Sequence, residues 1–349
     1  MPNWLDDNLD YYLPELIRQA GYTTAHYGKW HLGGGGLPHG DTTAALPASY
    51  GYDDTRVWNG NGPTWKGTEL WPSVRYMDSD SIWVPNSSKL AVNAAINFLK
   101  EKRNGGQPMF VNLWLKDPHT PLWPTDEQRD KFTGLEESKQ TYYSVICDAD
   151  YHVGRLLDAL DEFELTENTL VIFSSDNGPE RTAIKMGTFG STGGLRGGKR
   201  SLYQGGVCVP FIVRWPGHTA AGMLDDHTLL SSVDLYPSFC QIAGASIPDG
   251  AAPDGESIVG LLEGDSFTRT KPLFWDWTRF ANPNHEIYWP AKAVRKGKWK
   301  WMKNDVSGQE ELYDIESDPN ESQNLLANHP DIAKELNMLW EDWANTLPE

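Results

Sequence analysis

Two lysines, two histidines and an adjacent carboxylate and amide lie in four glycine- or proline-rich clusters of this 349-residue chain. Lys29 and His31 take alternate positions in Gly28-Lys29-Trp30-His31-Leu32-Gly33, so a cation and an imidazole can project to one side of an extended segment. His119 stands in Pro118-His119-Thr120-Pro121, and Asp176 and Asn177 lie between Ser175 and Gly178. Lys199 follows Gly197 and Gly198, ahead of Gln204-Gly205-Gly206 and Val209-Pro210. Singly, each cluster has a bland reading: Asp-Asn-Gly is a common turn, and a lysine in a glycine-rich loop is ordinarily solvated. Jointly, they supply what a tetrahedral dianion beside a hard divalent cation requires. Lysines and histidines neutralise or protonate its oxygens, while the carboxylate and amide oxygens ligate the metal.

The elements between the clusters are those of an α/β protein, with apolar strands alternating with amphipathic helices up to about residue 265. Leu13 to Ala20 reads as a helix closed by Gly21, and Thr23 to Tyr27 as a short strand entering a loop from Gly28 to Gly36. Apolar positions at helical spacing predict a helix over Lys89 to Lys102, then a buried strand over Met109 to Leu115. A helix from about Glu136 to Phe163, strands at Thr169 to Ser174 and Phe211 to Arg214, and a helix over Ser232 to Ala243 complete a set read as parallel-sheet units. Each cluster then falls just beyond a strand, where open α/β sheets place their ligands. Lys29, His31, His119 and Lys199 are expected to converge in one pocket beside Asp176 and Asn177. From residue 266 the texture changes to short Trp-rich strands, Leu273 to Thr278, Ala291 to Arg295 and Lys298 to Lys303, and a helix from about Pro330 to Leu347. This divides the chain into a large domain, 1–265, and a small sheet plus helix, 266–349.

A formal net charge of −18 with scattered Lys and Arg leaves no basic stripe for nucleic acid, and an anionic substrate must be drawn by local cations. Cys147, Cys208 and Cys240 are too widely spaced for a disulfide framework or a zinc site. No apolar run reaches the ~18 residues of a membrane span. A periplasmic or secreted location follows if a secretion signal precedes Met1.

The stretch from Ala20 to Gly33 closely resembles the second signature of the sulfatases, hydrolases of the alkaline phosphatase superfamily. Pro118 to Pro121 resembles that family's Pro-His-x-Pro loop, and Asp176 to Gly178 its metal-binding strand end. Arg196 to Gly217 is similar to its Gly-x-Lys loop running into Val-Pro and Trp-Pro-Gly turns, and Glu311 to Leu325 to a segment of its C-terminal domain. The motifs run in the family's order over nearly the whole chain, with arylsulfatases and N-acetylgalactosamine-6-sulfatases as the nearest resemblance. It implies an alkaline phosphatase-like fold, a mixed central sheet flanked by helices with a small C-terminal α+β subdomain. It also implies roles: Lys29 and His31 on the sulfate and the nucleophile, His119 on the leaving oxygen, Lys199 on a second sulfate oxygen, and Asp176 and Asn177 as ligands of calcium. The substrate implied is a sulfated small molecule or glycan.

The sequence also departs from the pattern. Sulfatases carry Cys-x-Pro-x-Arg, whose cysteine matures to formylglycine, and none of the three cysteines has that context. The family's first strand, with adjacent metal-binding aspartates, has no counterpart; Asp6-Asp7 lacks a preceding apolar strand and reads as a turn or cap. Gln204 and Cys208 stand where the family has Glu and Arg around the Gly-Gly turn. The expectation is an N-terminally shortened sulfatase that is inactive alone and binds calcium weakly. The alternatives are a phosphodiesterase or phosphonate hydrolase of the same superfamily, and a non-catalytic sulfoglycan-binding relative whose tryptophans stack on sugar rings.

Overall fold

A computed structural model describes residues 11–30, 47–59, 87–119, 122–180, 190–278 and 289–347. His31, Thr120 and Pro121 lie outside them. In chain order the elements are α1 (Leu13–Gln19), β1 (Thr23–Trp30), β2 (Asp54–Asn59), α2 (Ser87–Lys102), β3 (Met109–Trp114), α3 (Asp126–Asp130), α4 (Glu137–Glu162) and β4 (Val171–Ser174). They continue with α5 (Gln204–Val207), β5 (Phe211–Arg214), α6 (Leu235–Ala243), α7 (Val259–Leu262), β6 (Leu273–Asp276), β7 (Lys292–Lys296), β8 (Trp299–Lys303), β9 (Glu310–Asp314) and α8 (Pro330–Ala344). Two compact units interleave along the sequence. The first holds Met1–Thr169, Ala183–Phe189 and Tyr236–Ala252, and the second Leu170–Thr182, Gly190–Leu235 and Pro253–Glu349.

In the first unit β1 is the middle strand of a parallel sheet ordered β2-β1-β3. It is buried at every position except Thr23 and Lys29, as befits a strand with neighbours on both sides. On α2 the residues Ala91, Val92, Ala95, Phe98 and Leu99 form one apolar stripe, which packs on β1, β3 and α4. The strand expected to stop at Tyr27 continues to Trp30, because Gly28 lets the chain kink without losing its pairing. Gly28 has φ +105°, and a Cβ there would lie 2.0 Å from the carbonyl oxygen of Trp114, its partner on β3. Lys29 is therefore the penultimate residue of a strand rather than part of a loop. β2 has no counterpart among the elements expected from the sequence; its polar start, Asp54-Thr55-Arg56, hides the pattern of a strand.

In the second unit β4 and β5 pair antiparallel, with Val171 opposite Arg214 and Ser174 opposite Phe211. The sequence reading made these parallel-sheet units; chain order alone does not fix strand direction. β6 to β9 form a four-stranded antiparallel sheet in sequence order, with α8 against it. One face buries Val294, Trp301 and Leu312 under Ala333, Leu336 and Trp340 of α8. The other packs Ala293, Met302 and Tyr313 on Leu202 and Tyr203, so the chain just beyond Lys199 is part of this core. Three of the four strands match the Trp-rich texture. β9 instead overlaps Leu312-Tyr313-Asp314, at the start of the family-like Leu-Tyr-Asp segment Glu311 to Leu325.

The first unit also buries a titratable group in its aromatic cluster. His26 on β1 is fully buried against Trp30, Tyr52 and Trp114, and burial pushes its pKa from 6.5 down to about 4, against a contact with the Lys29 carbonyl that raises it. Between those values the unfolded chain takes up the proton and the folded one does not, so this contribution to stability is present above pH 6.5 and falls away as pH drops toward 4. The loss from this group is on the order of 3 kcal/mol. Urea unfolding at pH 7.5 and 4.5 is expected to show a smaller drop in His26→Gln than in the wild type; equal drops would contradict the buried, uncharged state.

Candidate active site

Two of the sequence-predicted cations, Lys29 and His119, belong to the ends of two neighbouring strands. In the first unit Lys29, half-buried, sits one residue past the Gly28 kink and opposite Trp58 of β2. On the adjacent strand β3 the chain runs from Trp114 into a turn in which the His119 N–H donates to the Lys116 carbonyl, 2.8 Å, around a cis Asp117–Pro118 bond. Asp117 anchors this turn to the start of α2, accepting from Ser87 Oγ at 3.0 Å and Ser88 Oγ at 2.5 Å. The turn therefore holds His119 through its backbone, on a carboxylate tied to a helix. Lys116, which sequence reasoning passed over, is 2% exposed; its pKa falls to about 8 through burial, with Asp117 opposing and Lys29 adding repulsion. Lys29 and Lys116 thus feel one another at the ends of neighbouring parallel strands, which concentrates positive charge there.

The remaining residues come together in the second unit. Asp176 is exposed and Asn177 half-buried, just beyond β4. Asn177 Nδ2 donates to the Gly178 carbonyl at 2.8 Å, which turns its Oδ1 away from that backbone. Gly178 N–H donates to Gly206 O at 2.8 Å, and Lys199 N–H to Pro179 O at 2.9 Å, so the Asp-Asn-Gly loop and the Lys199 loop are joined by main chain. Their approach is too close for any other residue: a Cβ on Gly178 would stand 1.9 Å from Gly205 O, and one on Gly206 2.1 Å from Ser201 O. Arg200 and Glu180 add an ion pair of 2.5 Å across the same two loops. The backbone of Lys199 is accordingly tied to the loop that follows Asp176 and Asn177.

Behind that cradle lies a buried polar network. Lys300 of β8 is fully buried; its Nζ donates to Glu321 Oε1 at 2.8 Å and to Gln204 Oε1 at 3.1 Å, while Gln204 N–H donates to Glu321 Oε2 at 2.7 Å. Burial lowers the Lys300 pKa and Glu321 raises it. Arg196 donates to Tyr313 Oη at 2.8 Å and Glu321 O at 3.0 Å, and lies over the Tyr203 ring. Tyr203 Oη in turn donates to Glu311. Gln204, which replaces the family's Glu, is therefore supported from the C-terminal sheet. Lys300 could have been noticed as a lysine alternating with Trp299, Trp301 and Met302 in a strand. Glu321 sits inside the Leu-Tyr-Asp segment and carries no local signal of its own.

A sulfatase family model matches residues 5–245, and a model for the C-terminal part of N-sulphoglucosamine sulphohydrolase matches residues 197–345. The chain belongs to the sulfatase family, whose members hydrolyse sulfuric esters. Among its relatives, the N-acetylgalactosamine-6-O-sulfatase of Bacteroides thetaiotaomicron is 25% identical, the match covering 94% of this chain and 76% of that one. Arylsulfatase A of Bos taurus is 28% identical, with coverage of 93% and 68%. N-acetylgalactosamine-6-sulfatase of Rattus norvegicus is 31% identical over 77% of this chain, which spans about half of that relative, 51%. The alkaline phosphatase-like fold recurs in the crystal structure of Ps i-CgsB in complex with k-i-k-neocarrahexaose, with TM-score 0.82, 23% identity and coverage of 98% and 76%. It recurs also in the PsFucS1 sulfatase from Pseudoalteromonas sp., with TM-score 0.74, 19% identity and coverage of 96% and 72%.

Glu321→Gln is expected to destabilise the second unit by about 3–5 kcal/mol, because it leaves the Lys300 ammonium buried without a counter-charge. Replacing the pair together, Lys300→Met with Glu321→Leu, should cost much less. Denaturant unfolding of the single and double variants checks this, and a double variant no more stable than Glu321→Gln would contradict it.

Proposed function

We propose that this chain carries sulfate-binding and metal-supporting groups of a hydrolase that cleaves sulfate esters of carbohydrates or aryl alcohols. The observation that supports the reading is the main-chain junction between the Asp176–Gly178 loop and the Lys199 loop, which joins the segments carrying the candidate anion-binding lysine and the two candidate oxygen donors. Lys29 and His31 bind the sulfate, and Lys199 clamps another of its oxygens. His119, fixed by its turn, donates a proton to the alkoxide as the carbon–oxygen side of the ester departs.

Asp176 and Asn177 fit calcium in donor type, a carboxylate and an amide oxygen, and they would hold it. In number they fall short of the ~6–8 oxygens calcium takes. Among the described residues no group of three or more His, Cys, Asp or Glu side chains gathers to supply the rest. When bound, the cation would polarise the sulfate oxygens. The residues do not fit formylglycine. Cys147 lies in α4 and Cys240 in α6, and Cys208, the one followed by x-Pro, has Ile212 where the motif has Arg.

Residues 1–349 are therefore expected to bind calcium weakly and to give no turnover of an activated aryl sulfate, since loss of a covalent nucleophile costs ~10⁶ in rate. An N-terminal extension that supplies paired aspartates and a matured Cys-x-Pro-x-Arg should restore turnover, and Lys199→Met in that extended protein should remove most of it. Robust turnover by residues 1–349 would contradict the need for the extension. An inactive extended protein that still binds sulfated glycan would favour a non-catalytic role.

A further inference from the structure

His26 lies on β1 three residues before Lys29, and its Nε2 is 3.1 Å from the Lys29 carbonyl oxygen. A carbonyl only accepts, so Nε2 bears the proton and the ring is the Nε2–H tautomer. Nδ1 is buried and has no hydrogen-bond partner among the described residues. The ring is clasped edge-on by Trp114 at 4.7 Å between centroids and by Trp30 at 5.2 Å, with Tyr52 also at 5.2 Å. This contact is not one that a regular strand makes. Residues three apart in a strand point to opposite faces and are separated by ~10 Å. It becomes possible here because Gly28, at φ +105°, kinks the strand between them while its pairing continues.

We propose that His26 is a positioning residue for Lys29: its Nε2–H holds the Lys29 carbonyl across the Gly28 kink and so fixes the direction in which the Lys29 side chain leaves β1. The inference rests on the reading of Lys29 as a sulfate-binding group. The kink needs such a tie. Gly28 adds backbone freedom at the residue before the lysine, and without a restraint on the Lys29 peptide its ammonium would sample several directions. A donor from the buried aromatic cluster supplies the restraint from the core side, through the Lys29 carbonyl. The aromatic walls set the ring plane, so that Nε2, rather than Nδ1, meets the carbonyl.

The test uses residues 1–349 with inorganic sulfate as the probe, read by NMR. Long-range ¹H–¹⁵N correlation should show His26 as the Nε2–H tautomer, and sulfate should shift the Lys29 Cε resonance. His26→Gln places an amide N–H near the Nε2 position and should keep the sulfate affinity close to wild type. His26→Phe fills the cluster without a donor and should weaken it about fivefold or more, the low end of coupling between sites, in a protein that remains folded. An Nδ1–H tautomer, or His26→Phe binding sulfate as the wild type does, overturns the positioning role. Lys29→Met separates the two claims. If the wild-type Lys29 resonance ignores sulfate, or Lys29→Met binds it undiminished, the assignment of Lys29 to sulfate fails. A loss in Lys29→Met with none in His26→Phe overturns the role of His26 alone.

Discussion

Gly178 and Gly206 meet main chain to main chain, 2.8 Å from nitrogen to oxygen, with no room for a side chain between the loops that carry them. On this contact depends the relation of Asp176 and Asn177 to Lys199. A side chain at either glycine would force the loops apart by more than an ångström, and a carboxylate and an ammonium meant for the same anion–cation assembly would separate with them. One backbone hydrogen bond contributes only ~1 kcal/mol, so the junction needs backing. Lys300, Glu321 and Gln204 provide it from beneath, where burial makes their charges costly to leave unpaired.

The same principle, a candidate side chain whose backbone is fixed by close packing, recurs around Lys29. There Gly28 touches Trp114 and His26 reaches the Lys29 carbonyl. His119 is fixed by a turn whose Asp117 is held by two serines at the start of α2. In each case the group expected to meet the sulfate is polar and at least partly exposed, and what holds it is glycine, carbonyl or buried ion pair. Function and support are thus separated along the chain, with the reactive residue at one position and its restraint two or more residues away or in a distant element.

That separation explains what could be read in advance. Lys29, His119, Asp176, Asn177 and Lys199 stand in short motifs whose composition announces chemistry, and the helices α2, α4 and α8 show their apolar periodicity openly. β2 was missed because Asp54 and Arg56 break the strand pattern, and the antiparallel direction of β5 has no local signal. Lys116 and Lys300 look like surface lysines until the fold buries them, and Glu321 pairs with a residue 21 positions away. Burial and long-range partners are set by tertiary packing, which a single sequence shows only where a family pattern marks it.

Amide hydrogen exchange, residue by residue, bears most directly on the claim that the Asp176–Gly178 and Lys199 loops form one rigid cradle. The account predicts that the amides of Gly178 and Lys199, both in loops that would otherwise exchange quickly, are protected to a similar degree and lose protection together when Glu321 is changed to Gln. Fast exchange at Gly178 alongside a protected β8, or protection at Lys199 that survives the loss of Glu321 while Gly178 opens, would contradict it.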